Sequence, residues 1–163
     1  MSLIQLHTFI KAPVERCFDL SRSIDVHIAS TKRTHEKAIA GRTSGLINLN
    51  ETVTWKAKHF GLYQTLTTKI TQMKSPDYFV DEMMEGAFKS IFHLHQFEAK
   101  GSGTLMTDRF YYEAPLGIAG RIFDRVILHR YMKRLLQERN QLIKSVAEGD
   151  EWKGFYLTQK YRP

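Results

Sequence analysis

Two histidines, His93 and His95, stand two residues apart in the segment 88–98, which has the alternation of a β-strand. Side chains at positions i and i+2 of a strand share one face and lie about 7 Å apart, so both imidazoles can address the same ligand. Imidazole is the usual general base near neutral pH and a frequent metal ligand. The spacing predicts either a ligand-facing pair or two histidines that are merely hydrogen-bonded or exposed.

Three carboxylates, Glu51, Asp81 and Asp108, occupy strand positions that are predicted to face inward. A buried ionised carboxylate is strongly destabilising unless it is paired, so we expect acids beside histidines to form hydrogen-bonded pairs. Such pairs can bind a polar ligand group or act as general acid and base. A metal would need one of these acids as a third ligand, and we expect neither a metal nor another cofactor.

The inward face of the segment 78–85 depends on which apolar residues form its core. Phe79 and Met83 as core residues place Asp81 inside, whereas Val80 and Met84 favour the opposite register. We adopt the first register, in which Asp81 faces inward.

The segment 88–98 also allows two registers. A count of apolar residues alone favours the first of them. That register buries Phe88, Phe92 and Leu94. The register that we adopt buries Ile91, His93, His95 and Phe97. In that case we expect the three displaced apolar residues to meet a partner subunit or to be reoriented by a bulge near Gly86.

These residues need a sheet to position them. Five segments, separated by turn residues, show the alternation of side chains that is typical of strands. They cover residues 51–60, 62–73, 78–85, 88–98 and 104–113. An earlier strand is predicted over 3–11, followed by short helices over 13–21 and 23–29, the second capped by Ser23. Residues 32–50 show no clean period and are predicted to be a long connection over a cavity mouth.

After residue 115 the period changes to about 3.6, which predicts one helix over roughly residues 118–146, about 45 Å long. Such a helix must lie across the whole sheet to bury its apolar stripe. Much of the net charge of +7 falls on its polar side, which we interpret as a solvated face, with a nucleic-acid surface as the minority alternative. The basic residues are Arg121, Arg125, Arg130, Lys133, Arg134, Arg139 and Lys144.

The chain has 163 residues, of which 42% are hydrophobic and 25% charged, and a chain of this size can bury a core without disulfides or a metal. We expect one domain over residues 1–148 and an aromatic tail over 149–163 that docks on its own domain or on a neighbour. The single cysteine, Cys17, is predicted to be a buried small hydrophobe. Neither a bilayer-spanning segment nor a signal peptide is visible, so a cytoplasmic location is expected.

Three stretches carry a resemblance to a known superfamily: residues 10–18, the hairpin 97–107, and residues 112–117 leading into the long helix. With the order of elements, they resemble the SRPBCC superfamily of START lipid carriers, polyketide cyclases, coenzyme Q-binding proteins and plant pathogenesis-related allergens. Residues 51–61, 81–83 and 86–88 look like a bacterial branch of it that is called polyketide cyclase/dehydrase-like. The resemblance implies an α+β helix-grip fold, in which a curved antiparallel sheet of about six or seven strands wraps one long C-terminal helix around a cavity. It implies no catalytic motif.

The predicted function is binding of a small or medium-sized hydrophobic ligand, such as a lipid, quinone or polyketide, that carries a polar group. One alternative is a cyclase or dehydratase in which His59, His93 or His95 acts as base and Asp81 or Asp108 as acid. A second is a regulatory or membrane-associated partner protein that uses its basic helix and aromatic tail. For the protein itself we expect a monomer or homodimer, peripheral membrane contact and no nucleic-acid partner. The predicted ligand-binding residues are Glu51, Trp55, His59, Asp81, Met83, His93, His95, Asp108, Phe110, Tyr112, Phe123 and Ile127.

Overall fold

The computed structural model describes residues 1–115 and 124–155. It contains one sheet of seven strands in the order β1-β7-β6-β5-β4-β3-β2, and all neighbours are antiparallel. The strands are β1 (Ser2–Ile10), β2 (Lys37–Gly41), β3 (Thr52–His59), β4 (Leu62–Lys74), β5 (Tyr78–Gly86), β6 (Ser90–Lys100) and β7 (Gly103–Glu113). From β3 to β7 the strands follow the chain, because short turns rich in glycine, proline and aspartate join antiparallel neighbours.

The sheet is irregular where β4 meets β5. The register between them shifts at Thr67/Thr68 and again at Ile70/Gln72. Bulges of this kind bend a strand and increase its twist, which lets a sheet curve around a helix.

Two short helices follow β1, namely α1 (Val14–Ser21) and α2 (Ile24–Ser30). The Ser23 hydroxyl caps α2 by accepting a hydrogen bond from the Val26 amide at 3.3 Å, as the sequence predicts. The long helix α3 (His129–Glu148) has 20 residues and is about 30 Å long. A π-helical turn, Asp124–Leu128, leads into it, and it ends at Gly149. The first part of the predicted helix, residues 118–123, lies outside the described residues.

The core lies between the concave face of the sheet, the two short helices and α3. Phe18 of α1 meets Phe79 and Phe97 edge-on, with ring centroids 5.7 and 5.6 Å apart. A smaller cluster around Ile4, Tyr112 and Leu136 fills the other end. Cys17 is fully buried in the main cluster, and burial raises the pKa of its thiol, in agreement with the predicted structural role.

The prediction that residues 32–50 lack regular structure is wrong in part. They contain a 3₁₀ turn (Lys32–Thr34) and strand β2, which pairs with β3 at the edge of the sheet. Most side chains of β2 are exposed, so this strand shows no apolar alternation that a sequence pattern could reveal.

The described part of the tail packs on the domain. Trp152 and Phe155 contact the main core cluster, and the Arg16 guanidinium lies 4.0 Å from the centroid of the Trp152 ring. Tyr156 and Tyr161 lie outside the described residues.

Candidate functional site

A cavity of about 190 Å³ lies between the concave face of the sheet, α2 and α3. Its walls are mostly apolar and aromatic, with contributions from Trp55, Leu66, Phe79, Phe110 and Leu136. An apolar cavity of roughly 150 Å³ in another protein admits benzene, so this one has room for a ring-sized molecule.

A buried polar centre built around Asp108 lies at the wall of this cavity. Oδ1 of Asp108 is 3.0 Å from Nε2 of His93, 2.8 Å from Nδ1 of His95 and 3.7 Å from Nη1 of Arg139. The amide of Asn140 donates to the other carboxylate oxygen at 2.7 Å. Strand pairing explains the cluster, since His95 lies directly opposite Asp108 on β6 and β7.

The two histidine contacts differ in kind. The N–H of His93 is directed at the carboxylate, whereas the Nδ1 of His95 is close to it without the alignment of a hydrogen bond. The second ring nitrogen of each histidine has no hydrogen bond to any described residue. Both rings line the cavity, so these nitrogens are available to a ligand.

The charges of this centre follow from burial and hydrogen bonding. Burial alone would raise the pKa of Asp108, but the contacts from His93 and His95 outweigh it and hold the pKa well below its ordinary value. Burial, together with the charges of His93 and Arg139, lowers the pKa of His95 well below its ordinary value. The guanidinium of Arg139 remains protonated and is therefore the permanent positive charge beside Asp108. At neutral pH the centre therefore contains an ionised Asp108–Arg139 pair and a neutral His95.

Asp81 has the opposite character. It lies across the strand pair from His93 and lines the cavity, and burial raises the pKa of its carboxyl group. Its Oδ1 and the neighbouring Thr68 hydroxyl are buried without a hydrogen bond of acceptable geometry, although Thr68 lies close enough to affect the carboxyl group. These two unpartnered groups mark a polar subsite in an apolar wall.

A second polar group lies towards the cavity mouth. The His59 imidazole is 2.7 Å from the Tyr131 hydroxyl, and His27 lies 3.5 Å from Glu36 while its ring stacks on Trp55 at 4.2 Å. Burial lowers the pKa of His59. The cavity thus has polar groups at two places with an apolar wall between them.

His93, His95 and Asp108 are also the described residues that could hold a metal, because their ligand atoms lie within 4.8 Å of one another. Two nitrogens and a carboxylate suit a divalent transition metal. The guanidinium at 3.7 Å opposes this, since it already supplies the positive charge that Asp108 needs. The arrangement fits a hydrogen-bonded ion pair better than a metal site.

Most of the predicted ligand-binding residues come together. Those that line the cavity are Trp55, His59, Asp81, His93, His95 and Phe110. Asp108 lies behind the two histidines and orients them. The histidine-inward register of β6 and the inward facing of Asp81 agree with the structure. Phe88 also lines the cavity, because it precedes β6 and so escapes the alternation of that strand.

Two predicted inward residues face solvent instead. Glu51 precedes β3 and forms an ion pair with Arg42, which keeps its carboxylate in water and its pKa low. Ile127 is 45% exposed, because the π-helical turn shifts the helical phase and brings Leu128 to the cavity.

Two further predicted residues, Met83 and Tyr112, do not reach the cavity wall. Met83 and Tyr112 pack in the smaller core cluster, where the Tyr112 hydroxyl lies 3.4 Å from Nδ1 of His129. Phe123 lies outside the described residues.

Three residues of the site, Arg139, Asn140 and Tyr131, were not predicted from the sequence. The helical pattern places Arg139 on a solvated basic face, whereas its side chain is buried and donates to the Ser21 carbonyl at 2.7 Å. A signal was present, because Leu136, Arg139 and Ile143 follow the i, i+3, i+7 spacing of a buried helix stripe.

No family model and no curated protein matches the sequence. Solved structures do share its fold. TTHA0849 from Thermus thermophilus is 17% identical, with 90% of this chain and 99% of that one covered and a TM-score of 0.70. The KanY protein is 12% identical, with coverage of 91% and 100% and a TM-score of 0.70. Major latex-like protein 151 from Panax ginseng is 17% identical, with coverage of 91% and 98% and a TM-score of 0.66.

These likenesses and the seven-stranded sheet around α3 show that the chain has the helix-grip fold. At this level of identity they show the fold alone. Among the described helices, none has the length and apolarity needed to cross a membrane.

Proposed function

We propose that this protein binds a small or medium-sized hydrophobic molecule, such as a lipid, quinone or polyketide, through an uncharged polar group. The similarity in fold supports placing the chain in the SRPBCC superfamily, which its sequence also resembles. The observation that carries the proposal is the pair of unpartnered groups, Asp81 and Thr68, in the wall of an otherwise apolar cavity.

The polar group of the ligand follows from the protonation states. Burial raises the pKa of Asp81 and so favours its protonated form, which is an O–H donor. The lowered pKa of His95 favours a neutral imidazole, whose second ring nitrogen is an acceptor. Because Asp108 and Arg139 already neutralise each other, a charged group on the ligand would lack a counter-ion. A phenol, enol or hydroxyketone satisfies both groups, whereas a carboxylate does not.

The test uses 2-naphthol, naphthalene and 2-naphthoate as probes in isothermal titration calorimetry. We expect 2-naphthol to bind about tenfold or more tightly than either of the others, which corresponds to one or two well-made hydrogen bonds. In a double variant, Asp81→Leu with Thr68→Val, this preference disappears while naphthalene still binds.

The matched control is Thr67→Val, which changes the adjacent threonine on the other face of β4, where it bonds Thr54 at 3.0 Å. It should keep the preference for 2-naphthol. Equal affinity for all three probes, or a preference that survives in the double variant, would contradict the proposal.

A second candidate function is proton transfer next to a carbonyl, as in a cyclase or dehydratase. A specific observation favours it: a carboxyl group with raised pKa and an imidazole with lowered pKa line the same cavity. The acid would donate to the carbonyl oxygen while an imidazole, His93 or His95, removes the neighbouring proton.

This candidate predicts protein-dependent exchange of the α-protons of 2-tetralone for deuterium, followed by NMR in D₂O. Either His93→Ala or His95→Ala, whichever removes the base, should abolish the exchange while affinity for the probe stays within about tenfold. Binding of 2-tetralone without accelerated exchange would leave the protein as a carrier.

A further inference from the structure

Large apolar side chains are exposed at the end of the molecule where β3 turns into β4 and the long helix begins. In the turn, Phe60 is 52%, Leu62 69% and Tyr63 65% exposed. At the start of the helix, Val126 is 59% and Ile127 45% exposed. Exposed apolar groups of this size that lie together usually mark a contact surface.

The two segments form one surface, which we call the mouth surface and define as residues 56–63 and 125–133. Tyr131 joins them, because its ring lies 4.7 Å from the Phe60 ring and its hydroxyl 2.7 Å from the His59 imidazole. Val126 and Ile127 belong to the π-helical turn that leads into α3, so they lie within five residues of Tyr131 along the same helix.

The mouth surface is also strongly basic. Its two segments contain five lysines and arginines and no aspartate or glutamate, and the neighbouring acid Glu36, whose charge acts on His59 and Tyr131, is paired with His27. The basic residues are Lys56, Lys58, Arg125, Arg130 and Lys133. The ammonium groups of Lys56 and Lys58 lie 5.4 and 5.9 Å from the Tyr63 ring on the outer face of the hairpin, so charge and apolar area are adjacent at its tip.

We propose that the mouth surface docks on an anionic lipid bilayer. Exposed aromatic and aliphatic side chains surrounded by lysine and arginine match the chemistry of such an interface, in which apolar groups enter the acyl boundary and cations meet lipid phosphates. A second copy of this surface fits poorly, because pairing would bring ten cations together. A nucleic acid would use the cations and leave Leu62 and Ile127 without a role.

Docking here would also place the cavity next to the lipid. Phe60 and Tyr131 belong to the mouth surface and line the cavity, so a hydrophobic ligand could pass between bilayer and protein at this point. This last step rests on the proposed ligand-binding function, whereas docking itself does not.

The test is sedimentation of the unliganded protein with vesicles of neutral phosphatidylcholine, alone or with about 30% phosphatidylglycerol. We expect binding to the anionic vesicles that weakens at least tenfold between about 0.05 M and about 0.5 M salt. Leu62→Ser with Tyr63→Ser should weaken binding about tenfold or more.

The matched control is Ile39→Ser with Leu49→Ser, which removes two apolar side chains of 49% and 46% exposure outside the mouth surface. It should bind within about twofold of the unchanged protein. Equal loss in both double variants, equal binding to neutral and anionic vesicles, or binding to duplex DNA in place of vesicles would overturn the proposal. Failure of 2-naphthol to bind would refute the ligand proposal and leave the docking result standing.

Discussion

Replacing Asp108 by asparagine tests the buried centre most directly. The substitution preserves the shape of the side chain and removes its charge. Arg139 would then be a buried cation whose nearest counter-charge is gone, and the two imidazoles would face an amide instead of a carboxylate.

The cost can be worked from the geometry. Two unit charges 3.7 Å apart attract by about 4 kcal/mol at an effective dielectric constant of about 20. Measured losses on breaking one side of a buried ion pair are about 3–5 kcal/mol, which agrees. We therefore expect Asp108→Asn to lower the free energy of unfolding at pH 7 by about 3–5 kcal/mol.

The assay is urea unfolding of Asp108→Asn, Arg139→Met and the double variant. The double variant removes both charges and should lose at least about 1 kcal/mol less than the sum of the single losses. Glu138→Gln is the control, because its ion pairs with Arg33 and Arg134 are partly exposed and should be worth about 0–1 kcal/mol each.

The pH dependence has a definite sign. Asp108 has a lowered pKa in the folded protein, so in acid the unfolded state binds more protons. Its contribution is present above the pKa of an unfolded aspartate, about 4, and is lost as the pH falls through the folded pKa. The difference between the unchanged protein and Asp108→Asn should shrink below about pH 4. A loss under about 1 kcal/mol at pH 7, or strictly additive single losses, would refute the ion-pair interpretation.

Three further predictions concern other parts of the molecule. Asp81→Asn should stabilise the protein more at pH 8 than at pH 4, because a carboxyl group with a raised pKa destabilises the folded state as the pH rises from its unfolded to its folded pKa. Melting temperatures of the unchanged protein and the variant across this range check the prediction, and a constant difference between them would contradict it. Gly103→Ala should cost about 1–3 kcal/mol in urea unfolding, since its Cβ would collide with the Ile10 carbonyl, while Gly154→Ala, where the space is open, should have little effect. Trp152→Ala should cost about 1–3 kcal/mol in the same assay, because the ring packs on the core; no loss would show that the tail contributes nothing to stability.

The alternation of side chains and the turn residues were sufficient to predict most of the sheet from the sequence. Strands β3 to β7 lie within two residues of their predicted starts and ends, and the helix-grip arrangement follows from their order and from the long amphipathic helix. These features are local: a period of two, a period of 3.6 and short turns are properties of neighbouring residues. The inward placement of Asp81, His93 and Asp108 followed from the same alternation once a register was chosen.

Only the tertiary structure decided which groups share the site. Arg139 comes from a helix far along the chain, and its burial depends on a counter-charge that only strand pairing brings to it. Glu51 and Ile127 left the predicted site because a turn and a π-helical residue changed the phase of otherwise regular elements. The local pattern of a sequence determines which face of an element is apolar, but the partner that neutralises a buried charge is a long-range contact. For this reason the wall of the cavity could be predicted from the sequence, and the ion pair behind it could not.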